Sequence, residues 1–258
     1  MSSETSAPSR ALAWGVHLYT ATGVVWGLLT LLAILERRYV DAYIWMIVAI
    51  VVDATDGPLA RRFRVKEAVP SVDGALLDNI VDYLNWTFVP VVFLWHAGWL
   101  LQPAWVFGAL VLITSAFAFV HTGAKETELG YFRGFPSYWN MFVFFADILH
   151  RNYGPEAGDT PHLITTVALC SLAALSVLPV YFVYPTKAPR WRPFFIWGSV
   201  VWTLQGIAMI WHYPDIPAPL FWSSLVFPGI YLSVSFLWTP SVHRSLGASE
   251  TELDDSAQ

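Results

Sequence analysis

Residues 44–61 read IWMIVAIVVDATDGPLAR, and residues 73–101 read DGALLDNIVDYLNWTFVPVVFLWHAGWLL. Both stretches are apolar enough for a membrane helix, yet each carries carboxylates. Asp53, Asp56, Gly57 and Ala60 stand at i, i+3, i+4 and i+7, and Gly74, Asp78 and Asp82 stand at i, i+4 and i+8. On a helix each set falls on one stripe. A charge at the centre of a bilayer costs about 3 kcal/mol even on lenient insertion scales, so charges gathered there point to function.

Working outward, the chain has 258 residues, of which 56% are hydrophobic and 13% charged. Its mean hydropathy is +0.51. Several apolar runs exceed the roughly 20 residues that cross a bilayer. The expected class is an all-α, polytopic membrane helical bundle of about eight transmembrane helices. The predicted spans are 11–35, 41–61, 73–101, 103–122, 136–150, 162–185, 193–212 and 217–238. The apolar runs are continuous rather than alternating, which argues against a transmembrane β-barrel. The first run is longer than a signal-peptide core and lacks a small-x-small cleavage site, so it is expected to stay as a helix. A single membrane domain over residues 1–258 is expected, with mobile polar tails at 1–10 and 249–258.

With this topology eleven of the fourteen Lys and Arg fall on one side. Arg37, Arg38 and Arg151 fall on the other. The positive-inside rule then places both termini, and the connection beside the Asp stripes, in the cytoplasm. A net charge of −5 argues against a nucleic-acid partner. The lone Cys170 lies in an apolar run and is expected to pack. The seven His are scattered, with no zinc-like pairing to Cys or to each other; His17 and His121 draw notice only as predicted cytoplasmic helix ends.

Two helices joined by a short basic elbow can face each other with two Asp apiece. Four carboxylates so placed repel strongly and require protons or cations. Hard divalent ions take carboxylate oxygens and keep positions for water and phosphate. Two such ions can bridge a diphosphate. The ordinary alternative is a set of helix-end charges paired with Arg61, Arg62 and Arg64. A divalent-cation transporter would instead spread its acids along a path through the bilayer, and a purely structural protein would leave their clustering unexplained.

The run Asp56-Gly57-x2-Ala60-Arg61, twelve residues, then Gly74-x3-Asp78-x3-Asp82 is similar to the signature of the CDP-alcohol phosphatidyltransferases, and Asp53 matches a further Asp of that pattern. The spacer, twelve residues here, is near eight in most of the family. That longer spacer, the eight expected spans, Phe135–Asn140 and the opening Trp14–Leu29 resemble the bacterial branch that makes phosphatidylcholine.

The resemblance implies a transferase that moves the phosphatidyl group of CDP-diacylglycerol to choline and releases CMP. It implies Asp53, Asp56, Asp78 and Asp82 as ligands of two divalent cations, Mn2+ or Mg2+, with Asp82 as general base. Gly57, Ala60 and Gly74 would leave room for CDP. Arg61 would pair with a phosphate or with an Asp of the cluster. Choline offers no hydrogen-bond donor on its ammonium, so aromatic faces should receive it; Tyr83, Trp86, Tyr131, Tyr138 and Trp139 are the candidates. Serine, inositol phosphate or glycerol phosphate remain alternative acceptors, and Lys125 with Arg133 could supply part of a phosphate pocket. The implied setting is the bacterial inner membrane among membrane lipids, and a homodimer is compatible with it.

Overall fold

The computed structural model describes residues 9–121, 131–183, 192–237 and 239. Nearly all of that is helix. Its contacts form two compact units, Met1–Gly108 with Tyr138–Asp147, and Ala109–Ser137 with Ile148–Gln258.

The first unit begins with α1 (Arg10–Leu35), started by Ser9, whose hydroxyl accepts from the Leu12 amide at 3.5 Å. Helix α2 (Tyr39–Arg62) runs antiparallel after a tight turn in which Arg37 takes a positive φ of 58°. Pro58 lies in the last turn of α2, and the helix continues to Arg62. Proline's missing N–H therefore costs one bond near the helix end rather than a break in its middle. Arg64, at φ 50°, then turns the chain into the short α3 (Val65–Ala68). The Arg64 guanidinium pairs with Glu67 and holds its carboxyl below the usual carboxylate range.

Helix α4 (Gly74–Asp82) starts where Asp73 caps it, its Oδ1 accepting from Ala75 at 3.1 Å and Leu76 at 3.0 Å. Such a cap contributes about 1 kcal/mol. The helix then widens into a π-helical segment over Tyr83–Phe88 before α5 (Val89–Ala97). Inside that segment Asn85 is buried, and its Nδ2 donates to the Gly23 and Val81 carbonyls, both at 3.0 Å. π segments of this kind occur frequently at functional sites. Gly98, at φ 79°, ends α5 in the left-handed conformation glycine favours.

Small residues let α1 lie close to α4. A Cβ on Gly23 would fall 2.3 Å from Val81 Cγ1, and one on Gly27 would fall 2.8 Å from Asn85 Oδ1. Side-chain-free positions four residues apart are a common device for close helix approach in membranes. Trp26 and Trp45 stack at 5.7 Å between α1 and α2.

This unit also holds an acid the sequence reading passed over. Asp147 is completely buried, and its carboxylate accepts from Tyr43 Oη at 2.8 Å and Trp99 Nε1 at 3.1 Å. Asp147→Ala removes an acceptor shared by both donors, at a cost on the order of 2 kcal/mol. The thermal inactivation temperature of the purified variant should fall, with Asp147→Asn intermediate because its amide oxygen still accepts.

The second unit contains most of α6 (Ala104–Val120), the later part of α7 (Trp139–Ala157), α8 (Thr160–Val177), α9 (Arg192–His212) and α10 (Ala218–Ser224), with helix resuming over 226–237. Strands β1 (Tyr131–Arg133) and β2 (Tyr181–Val183) pair antiparallel, Phe132 opposite Phe182. Gly134, at φ 83°, presses its backbone against Ser176; a Cβ there would meet the Ser176 carbonyl oxygen at 2.6 Å. Asn152 clamps the loop before α10, donating to Pro214 O and accepting from Ile216 N, both at 3.1 Å. Cys170 is a free, half-buried thiol of α8.

Among the described residues five helices are long and apolar enough to cross a membrane: Arg10–Leu35, Tyr39–Arg62, Thr160–Val177, Arg192–His212 and Ala218–Leu237. The chain thus has the form of a multi-pass membrane protein. The other three expected spans fall on residues 74–97, where the π segment interrupts the α-helix, on the 17-residue α6, and on α7. The all-helical class stands, with one small two-stranded ribbon added to it, whose three-residue strands are too short for an alternating pattern to mark them.

Candidate metal and nucleotide site

The two acidic stripes meet inside the first unit. Asp53 on α2 and Asp78 and Asp82 on α4 each place a carboxylate oxygen within 4.8 Å of the others. Asp56 is the most buried of the four, at 6% exposure. All four line one cavity of about 10 Å³, together with Thr20, Asn85 and Trp86. Three half-buried carboxylates this close repel one another, and a cation between them relieves that repulsion. An all-oxygen, all-anionic donor set suits a hard divalent cation rather than a softer metal.

Helix register explains the convergence. Asp53 and Asp56 lie one turn apart on α2, as Asp78 and Asp82 do on α4. Asn85 and Trp86 lie three and four residues past Asp82, in the π segment, and Thr20 comes from the buried face of α1. Sequence reasoning missed Thr20 and Asn85. The signal for Asn85 was its place one turn beyond Asp82 in an apolar run; Thr20 carried none beyond its neighbours.

The other expected site residues divide. Gly57 and Ala60 continue the α2 stripe past Asp56, and Ala60 packs against Ala13, Val16, Val65, Ala68 and Val69. Arg61 is exposed and lies back along its own helix, Nη1 standing 3.5 Å from where a Gly57 Cβ would be. It takes part in none of the ion pairs found among the described residues. Gly74 sits beneath the ring of His17, whose Cε1 is 3.1 Å from the place of a Gly74 Cβ.

Of the aromatic candidates whose side chains are described, only Trp86 lines the Asp cavity. Tyr83 is half-buried in the π segment. Tyr138 is exposed, while Trp139 is 1% exposed and packs edge-on against Phe142. The side chain of Tyr131 and all of Lys125 lie outside the described residues. Two of the scattered His do meet: His150 and His162 are 4.6 Å apart, ring centre to ring centre, and His150 Nε2 lies 3.0 Å from Thr165 Oγ1. The fold, not the spacing, brings them together.

Residues 17–205 match the family model described as CDP-alcohol phosphatidyltransferase. The chain is similar to a protein named phosphatidylcholine synthase from Borreliella burgdorferi, 38% identical over 182 residues, covering 70% of this chain and 74% of that one. It is 34% identical over 225 residues to one of the same name from Rhizobium johnstonii, covering 86% and 88%. A third so named, from Pseudomonas aeruginosa, is 32% identical over 229 residues, covering 87% and 92%. No solved structure matches the chain.

Proposed function

The chain belongs to the CDP-alcohol phosphatidyltransferase family, and from that premise we propose that it is a phosphatidylcholine synthase. It transfers the phosphatidyl group of CDP-diacylglycerol to choline and releases CMP. The observation that carries this reading is the gathering of Asp53, Asp78 and Asp82 around a cavity, in a chain similar over most of its length to synthases of that name.

Asp53, Asp56, Asp78 and Asp82 would hold two divalent cations. When bound, Mn2+ or Mg2+ supplies positive charge to the diphosphate and to the departing CMP. Asp82 accepts the proton of the choline hydroxyl while that oxygen bonds to the lipid-bearing phosphorus and the bond to CMP breaks. Holding hydroxyl and diphosphate in line beside the carboxylates would supply much of the rate. Gly57 and Ala60 keep the α2 stripe low beside the nucleotide, and the exposed Arg61 offers its guanidinium to a phosphate. Trp86 presents a ring to the trimethylammonium at the edge of the acidic cavity, where a cation–π contact contributes about 0.5–2 kcal/mol. Eight helical passes, cytoplasmic termini and an active site opening to the cytoplasm of a bacterial inner membrane fit the Lys and Arg distribution. Both compact units then serve one catalytic domain, since the family match runs across them.

Purified protein with CDP-diacylglycerol, Mn2+ and each alcohol in turn tests this. CMP release is expected with choline, is lost on treatment with EDTA, and returns when Mn2+ or Mg2+ is restored. Release with serine, inositol phosphate or glycerol phosphate in place of choline would remove choline as the acceptor. No release with any alcohol would overturn the transferase reading.

A further inference from the structure

His17 sits on α1 at 6% exposure, and its Nε2 is buried with no hydrogen-bond partner. Such an atom costs about 1–3 kcal/mol, so one that persists calls for an explanation, such as a partner arriving with a ligand. Its surroundings say which ligand. The ring lies over Gly74, the first residue of the stripe that carries Asp78 and Asp82. One turn further along, Thr20 on α1 and Asp78 on α4 both line the acidic cavity. His17 and Gly74 therefore form the next level of the same α1–α4 seam.

That cavity, at about 10 Å³, cannot contain a nucleotide diphosphate. A ligand held by the carboxylates must extend along the seam. In one direction the seam is closed: Asn85 Nδ2 is committed to the Gly23 and Val81 carbonyls, and Gly23 packs on Val81. Beyond lies the apolar α5. In the other direction the seam leads past His17 to Asp73, where α4 begins. The polar half of the substrate belongs on that side, at the level of His17, whose Nε2 lacks a hydrogen-bond partner.

We propose that His17 is a nucleotide-binding residue, its Nε2 forming a hydrogen bond to the cytidine nucleotide half of the lipid substrate. Gly74 then serves mainly to seat the imidazole, since any side chain there would push against the ring. This rests on the transferase reading above, but not on choline being the acceptor.

The test compares His17→Phe, His17→Gln and His17→Asn with wild type. Glutamine can bring an amide nitrogen to the place of Nε2, and asparagine, being shorter, cannot. The Michaelis constant for CDP-diacylglycerol should rise about tenfold in His17→Phe and His17→Asn and return to within about twofold of wild type in His17→Gln. The constant for the alcohol should not change. Binding of CMP alone in the presence of Mn2+, measured by equilibrium dialysis, should weaken by the same factor. Unchanged CMP binding in a folded His17→Phe protein overturns the proposal. If that variant does not fold, equal behaviour of the Gln and Asn variants overturns it. Wild-type protein that releases CMP with a different alcohol refutes the choline assignment and leaves this test intact.

Discussion

Changing Asp78 to Asn is expected to lower CMP release at least about a thousandfold while the protein still purifies as a folded, monodisperse species. The substitution keeps the shape of the side chain and removes one charge from a set of three carboxylates lying within 4.8 Å of one another. Amides are poor ligands for a hard divalent ion, so the loss falls on cation affinity and on charge stabilisation during transfer. A thousandfold corresponds to about 4 kcal/mol. Relief of carboxylate repulsion makes the ion-free protein no less stable, and its melting temperature should hold or rise. The decisive measurement is turnover against Mn2+ concentration. A variant that keeps wild-type turnover at low Mn2+ would remove Asp78 from the metal site. Asp82→Asn should lose as much and should not recover at saturating Mn2+, because it also removes the proton acceptor.

The second large effect belongs to a residue with no functional group. Gly23→Ala places a Cβ 2.3 Å from Val81 Cγ1. Val81 is buried, and a β-branched side chain in a helix has essentially one rotamer, so it cannot swing away. Either α1 moves off α4 or Val81 distorts, at a cost of about 1–3 kcal/mol. Thr20, Asn85 and Val81 also border the acidic cavity, so displacement should reduce turnover together with thermal stability. Val81→Ala in the same chain makes room for the new methyl group and should recover most of both. Equal damage in the single and double variants would mean that the α1–α4 contact does not set the site.

How much of this could be read beforehand depended on whether a signal was local. The Asp stripes were legible because helical periodicity fixes which side chains share a face, and neighbours in sequence stay neighbours in space. The apolar runs were legible for the same reason, whereas the caps on α1 and α4, Ser9 and Asp73, emerged only with the fold. Trp86 could be named as a candidate, yet sequence alone did not separate it from Tyr138 or Trp139, since an aromatic in an apolar run looks the same whether it lines a cavity or fills a core. Gly74 was read as space for nucleotide, and only the fold shows that the ring of His17 lies beside it. Asp147 was passed over, because its partners Tyr43 and Trp99 are 104 and 48 residues away. The π segment left no mark, because a one-residue change of helical phase alters no composition.

The cap on α4 has one more consequence. Asp73 is the last residue before the second stripe, and it starts that helix by bonding amides two and three positions ahead of itself. The phase of Gly74, Asp78 and Asp82 is thus counted from Asp73 and owes nothing to how many residues lie between it and Arg62. Insertions upstream can lengthen the connection without rotating the acids out of alignment. A twelve-residue spacer and an eight-residue one can therefore present the same chemistry, and drift in that length over time is tolerated provided the cap travels with its helix.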